Sequence, residues 1–170
     1  MPEPSFDELL ASSTRSVLKL ELRDQYMLDD PAFAAWKAGD LDQAVREYAG
    51  WTEIASSATA RGVAFKRVRV ISEPASEYIA FEHAVTSRVN VVAGEAIRWV
   101  PRPRVSAIAL PGNDVWIFDE ATLQFGLFAG DGQFVGNEVS TDPDAVKLCL
   151  SAFEAAWERG IDHEQYSVTL

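Results

Sequence analysis

A chain of 170 residues, 48% apolar and 24% charged, has the size and make-up of one globular domain, and residues 1–170 read as a single α+β domain. A chain this long can bury about 70% of the surface its unfolded form exposes, so it needs no disulfide or metal staple. One cysteine, Cys149, excludes an internal disulfide, and a net charge of −11 disfavours direct nucleic-acid binding, whose affinity rests on neutralising phosphates.

The opening Met1-Pro2-Glu3-Pro4 has neither the basic nor the apolar region of a signal peptide. No apolar run approaches the roughly 20 residues of a membrane span. A cytoplasmic protein without membrane contact is expected.

In chain order, Phe6 to Leu10 reads as a short helix with Ser5 as its N-cap. Val17 to Arg23 alternates, with Leu18, Leu20 and Leu22 on one side and Lys19, Glu21 and Arg23 on the other, the pattern of a half-buried strand. Asp30-Pro31 opens a helix through Trp36, and Asp40 caps another from Leu41 to Ala60. Val63 to Ile71 is a second strand, on which Phe65, Arg67, Arg69 and Ile71 share a face. Ser72-Glu73-Pro74 breaks it and leads into a helix over Ser76 to Ser87, whose apolar stripe of Tyr78, Phe81 and Val85 includes Glu82. A carboxylate there needs a partner, and Arg67 or Arg69 is the expected one.

Asn90 to Gly94 reads as a loop and Glu95 to Val100 as a strand. Val115–Phe118, Leu123–Phe128 and Phe134–Val139 form an antiparallel meander around the Gly130-Asp131-Gly132 turn. Thr141-Asp142-Pro143-Asp144 starts a helix over 143–159 with Cys149 on its apolar stripe, where a thiol is a core residue. The tail, Ile161 to Leu170, folds back or adds an edge strand. The expected fold is therefore α+β, a mainly antiparallel sheet of five or six strands against helices 41–60, 76–87 and 143–159.

The acidic balance is uneven. Between Arg61 and Arg104 there are eight Lys/Arg and four Glu, a net +4, against −15 for the remainder. Such a block is either paired internally or meets an anionic partner. The candidate site is this strand-to-helix corner: Arg67, Arg69, Ser72, Glu73, Tyr78 and Glu82, with Arg98, Trp99 and Arg102 alongside. Forked guanidinium donors beside a helix start suit a phosphate or carboxylate. The structural alternative pairs Arg67 or Arg69 with Glu82, and Arg98 with Glu73 or Glu95. Trp99 and Trp116 are candidate interface residues. If the site is catalytic, Glu73 or Glu82 is the acid or base, with Arg67, Arg69 and Arg98 as clamps. Two histidines, His83 and His163, make a poor metal site, and no cofactor or metal is expected.

The run Arg67-Val-Arg-Val-Ile-Ser-Glu-Pro-Ala-Ser-Glu-Tyr78 and the segment Ala93-Gly-Glu-Ala-Ile-Arg-Trp-Val-Pro-Arg102 carry a resemblance, extended by Trp116-Ile-Phe-Asp119 and Asp131-Gly-Gln-Phe-Val-Gly136. The chain resembles an actinobacterial family of proteins of unknown function, often encoded beside a helix-turn-helix regulator. Ala80 and Ala121 depart from that family's usual polar residues. The resemblance implies a non-enzymatic accessory that acts with such a regulator, or with a small anionic ligand. An enzyme acting on an anionic small molecule is the alternative.

Overall fold

The structure, a computed structural model, describes residues 2–170. Its centre is one mixed sheet of seven strands in the order β6-β5-β4-β1-β2-β3-β7. The strands are β1 (Ser16–Glu21), β2 (Ala64–Ile71), β3 (Ala96–Pro101), β4 (Val115–Phe118), β5 (Thr122–Phe128), β6 (Phe134–Ser140) and β7 (Ile161–Asp162). β1, β2 and β3 are mutually parallel, and every other pairing is antiparallel.

This corrects the expected antiparallel sheet of five or six strands. The reason lies in the connections. Helices α2 (Pro31–Lys37), α3 (Leu41–Glu47) and α4 (Ala49–Ala60) all lie between β1 and β2, and α5 (Glu77–Thr86) lies between β2 and β3. A crossover through helices returns the chain to the same end of the sheet, so the strands it joins run parallel. The expected helix over 41–60 is broken at Tyr48, whose φ of −100° and ψ of 11° leave the helical region. Residues 90–94, expected as a loop, begin inside a single π-helical turn over Ser87–Val91.

The helices cover both faces. On one, α6 (Pro143–Arg159) packs Val146, Cys149, Ala152 and Phe153 onto Leu18, Leu20, Val68, Val70, Val115 and Ile117. On the other, α1 (Phe6–Ser12), α4 and α5 cover Val17, Phe65, Ile71, Ile97 and Trp99. Central strands buried on both faces have no solvent side. The face of β1 that reads as exposed, Lys19 and Glu21, is therefore interior, at 9% and 7% relative exposure. No described helix is long and apolar enough to cross a membrane.

One turn delivers a site residue. Gly94 has φ of +93°, which lets the chain reverse between the π-helical turn and Glu95. A Cβ there would lie 2.8 Å from Thr59 Oγ1, which itself donates to Ala93 O at 2.7 Å. Gly94→Ala should therefore lower stability by more than about 1 kcal/mol, read as a denaturant midpoint shift at unchanged slope.

Candidate functional site

Parallel register sets the site. Lys19 lies opposite Arg67, and Glu21 opposite Arg69, on the same face of adjacent strands. Neighbouring strands are about 4.8 Å apart, so a short carboxylate on β1 reaches two guanidinium groups on β2. Glu21 does this. Its Oε1 accepts from Arg67 Nη1 at 2.8 Å and its Oε2 from Arg69 Nε at 2.7 Å. Burial would push the Glu21 carboxyl up, but Arg69, Arg67 and Lys19 together hold it down at about 2.

Glu95 completes the other side. Its Oε1 accepts from Arg67 Nε at 3.0 Å, while Oε2 accepts from Trp51 Nε1 at 2.9 Å and Asn90 Nδ2 at 2.6 Å. Arg69 Nη1 donates to Thr86 Oγ1 at 2.7 Å. The Arg67 guanidinium also lies over the Trp51 and Trp116 rings, 5.4 and 5.1 Å from their centroids.

Glu82 is left over. Its Oε2 stands 3.7 Å from Arg69 Nε, within ion-pair distance but beyond hydrogen-bond reach, and is buried with no hydrogen-bond partner among the described residues. Glu21 has the shorter bond to that same nitrogen and so takes the favourable charge. Burial pushes the Glu82 carboxyl up to about 8, against the pull of Arg69, so Glu82 carries its proton at neutral pH. Arg69 is thus the arginine that Glu82 approaches, as expected, but the hydrogen bonds that Arg67 and Arg69 donate to carboxylates go to others. Glu21 and Glu95 hold those positions.

These groups floor a cavity of about 360 Å³, open on one side, with Tyr26, Tyr48, Trp51, Tyr78, Phe81, Trp116 and Phe128 in its walls. Its mouth includes the exposed side chains of Met27 and Phe134. Tyr48 donates to Asp30 Oδ2 at 2.5 Å, and Tyr26 donates to Asp114. Burial raises the Tyr26, Tyr48 and Tyr78 hydroxyls well above the usual phenol range, so all three stay protonated. The Tyr78 hydroxyl and the Nη2 nitrogens of Arg67 and Arg69 have no protein partner among the described residues. Beside the cavity, Lys19 Nζ sits 4.7 Å above the Trp116 ring, again with no hydrogen bond or ion pair among those residues.

Of the sequence-predicted site residues, Arg67, Arg69, Tyr78 and Glu82 come together in this cavity. The others do not. Ser72 donates through its backbone N–H and its hydroxyl to the Asp24 carboxylate, both at 2.7 Å, and accepts from Arg102 Nε at 3.1 Å. Arg102 also donates to Leu22 O at 2.8 Å, so it ties the corner to β1. The N-terminus of α5, proposed above as an anion cradle, is capped by Ser76, which accepts from Ile79 N at 3.1 Å. Arg98 pairs with Asp162 at 2.8 Å and lies over Trp157, rather than pairing with Glu73 or Glu95. Glu73 accepts from Tyr166 OH at 3.1 Å, away from the cavity. Trp99 is fully buried, so it is no interface residue, whereas Trp116 faces the cavity.

Sequence reasoning missed Glu21, Lys19, Tyr26 and Tyr48, and gave Glu95 to Arg98 rather than to Arg67. The signal available was the charge alternation on β1, which looks the same for a solvent face and an ionic interior.

The two histidines form a second cluster, at the edge of the sheet. Their ring centroids are 4.6 Å apart. His163 Nδ1 accepts from Trp99 Nε1–H at 3.1 Å, so its single proton is on Nε2, which donates to Ser87 Oγ at 2.8 Å. This tautomer cannot take a proton from Ser87, and the pair is no nucleophile–base dyad. His83 Nε2 meets Tyr166 O at 3.0 Å. Together with Tyr166 stacked on Trp99, these bonds fasten the C-terminal tail. Among the described residues no three His, Cys, Asp or Glu side chains are grouped to hold a metal ion.

A protein-family model described as a domain of unknown function (DUF6879) matches residues 4–168. No curated protein matches the sequence. Among solved structures the chain is similar to a phospholipase D family member, Nuc from Salmonella typhimurium, at 16% identity and a TM-score of 0.50, covering 92% of this chain and 86% of that one. It is also similar, at 16% identity and a TM-score of 0.46, to TrmBL2, an archaeal chromatin protein, covering 91% of this chain and 48% of that one. The first likeness is one of fold alone.

Two substitutions separate the carboxylates. Glu21→Gln leaves two buried guanidinium groups short of charge and should cost about 3–5 kcal/mol in chemical denaturation at pH 7. Glu82→Gln should do the opposite. Between pH 4.5 and 8 an unfolded Glu82 ionises while the folded one keeps its proton, so rising pH drains wild-type stability. The variant should melt higher than wild type at pH 8 and equally near pH 4.5.

The tail responds in the other direction. Burial and the neighbouring His83 hold His163 down at about 4 against an ordinary 6.5, so its stabilisation is full above 6.5 and lost as pH falls to 4. Amide protection in residues 161–170, taken relative to the intrinsic exchange rate at each pH, should fall as pH drops across that window, and His163→Gln should blunt the change.

Proposed function

The chain belongs to the DUF6879 family, a domain of unknown function, and from the chemistry of its cavity we propose that it is a non-enzymatic binding protein for a small anionic ligand. In this reading the occupied state is sensed by a partner protein, and the sequence resemblance implies a helix-turn-helix regulator for that role.

The observation that carries the proposal is the mismatch between walls and floor. A cavity of about 360 Å³ lies within the size range of small-molecule sites, roughly 300–1,000 Å³, and its walls are mainly aromatic. Its lining holds polar groups that lack a hydrogen-bond partner among the described residues: Glu82 Oε2, which is buried, and the Tyr78 hydroxyl and one nitrogen on each arginine, which are not sealed from solvent. A buried polar atom is normally satisfied, so Glu82 Oε2 is an exception that an occupant of the cavity would explain. The arginines are anchored at their other nitrogens, so their free donors are already aimed. Binding then requires little ordering of side chains.

One observation favours a second reading, an enzyme on an anionic small molecule. A protonated carboxyl in an aromatic pocket is suited to general acid catalysis, and Glu82 is that group.

Native mass spectrometry of the protein purified from the cells that make it tests both readings. A bound small molecule should be present, and Val85→Phe, which fills the cavity wall, should cut its occupancy at least about tenfold while the protein still melts cooperatively. Conversion of the recovered molecule by fresh protein would favour the enzyme. An empty protein whose melting temperature is unmoved by an extract of those cells overturns the binding proposal.

A further inference from the structure

We propose that the ligand is an aromatic monocarboxylate, its ring against Trp116, Trp51 and Tyr48 and its carboxylate against the free nitrogens of Arg67 and Arg69 and the carboxyl of Glu82. This rests on the cavity being a ligand site.

The donor inventory selects an acceptor-rich head group. Arg67 Nη2, Arg69 Nη2 and Tyr78 OH each have hydrogens to give and no protein acceptor among the described residues. Two guanidinium nitrogens meeting one carboxylate form charge-assisted bonds, roughly twice as strong as neutral ones.

Charge balance selects a single negative charge. Arg67 and Arg69 are already neutralised in large part by Glu21 and Glu95, through bonds of 2.7 to 3.0 Å. Lys19 lies behind the Trp116 wall, with Asp114 as its strongest opposing charge. Arg67, Arg69 and Lys19 bring three positive charges against the two of Glu21 and Glu95, and Asp114 opposes Lys19. At most one positive charge is therefore in excess, which suits a monoanion and is too little to offset the desolvation of a phosphate dianion. The walls select the ring. Trp116, Trp51 and Tyr48 line the cavity as half-buried rings, with Tyr48 backed by the fully buried Phe81 at a centroid distance of 6.3 Å. Flat aromatic surface packs best against another ring.

Glu82 sets the pH range. It is faced by Arg67 and Arg69 from β2, by Glu21 and Lys19 from β1, by Asp114 ahead of β4, by Tyr26 and Tyr48 from the surrounding segments, and by Tyr78 on its own helix. At neutral pH its carboxyl donates a hydrogen bond to the ligand carboxylate. Once ionised it repels that carboxylate instead.

The test is calorimetric titration of the full chain with four probes: phenylacetate, acetate, benzyl alcohol and phenyl phosphate. Phenylacetate should bind at least about tenfold more tightly than the other three at pH 7. Its affinity should fall by up to about tenfold per pH unit above pH 8 in wild type, and Glu82→Gln should flatten that fall. Loss of charge from Lys19 would produce a decline that Glu82→Gln leaves intact, which would overturn the role of Glu82. Benzyl alcohol or phenyl phosphate binding as tightly as phenylacetate overturns the ligand class and leaves the cavity a binding site. No response to any probe also overturns the class, and the native mass spectrum then decides separately whether the cavity holds a ligand.

Discussion

Glu21 is the constraint on which the interior turns. It places one carboxylate between two guanidinium groups that project from the same face of β2. Unaided, Arg67 and Arg69 would repel one another in a region of low dielectric. Bridged, they lock the register of β1 against β2, because a slip of one residue would carry Glu21 to the opposite face, into the apolar layer under α6. An ion pair at this depth is weak evidence for stability and stronger evidence for a fixed arrangement of strands.

The same bond decides the state of Glu82. Arg69 Nε has one strong hydrogen bond to offer, and Glu21 receives it. Glu82 is left 3.7 Å away, buried and protonated. Two carboxylates near one arginine thus have opposite protonation at neutral pH, for a geometric reason. Separating carboxyl groups in this way is how proteins keep an acid neutral among charges. It also leaves an interior polar group for which the fold itself has no use.

The cavity and the C-terminal tail meet through packed side chains. The Arg69 guanidinium, at the cavity floor, lies 4.9 Å from the Trp99 ring centroid. Trp99 in turn stacks on Tyr166 and donates to His163. A molecule seated on Arg69 would therefore be one side chain away from Trp99, which holds the tail. That contiguity is structural, and coupling between the two ends would require two discrete arrangements of Trp99.

Much of the fold was legible in local pattern. Helix 143–159 follows from its Asp142 cap and Pro143, the β4–β6 meander from alternation and glycine turns, and family membership agrees with the motif resemblance. That Arg67, Arg69, Glu82 and Tyr78 face one another across one cavity was legible too, because alternation on β2 and the stripe on α5 are properties of single elements. What only the tertiary structure decided was everything that depends on which strand lies beside which. The alternation Leu18-Lys19-Leu20-Glu21 is identical for a sheet face in water and for one covered by helices, and parallel crossovers made it the second. Glu95, some 28 residues from Arg67 along the chain, and Glu21, 46 away, became its partners through that packing alone. Sequence by itself determined which groups can ionise. Charge pairing is a matter of a few ångströms between elements, so tertiary structure alone determined which of those groups were satisfied and which was left facing an open cavity.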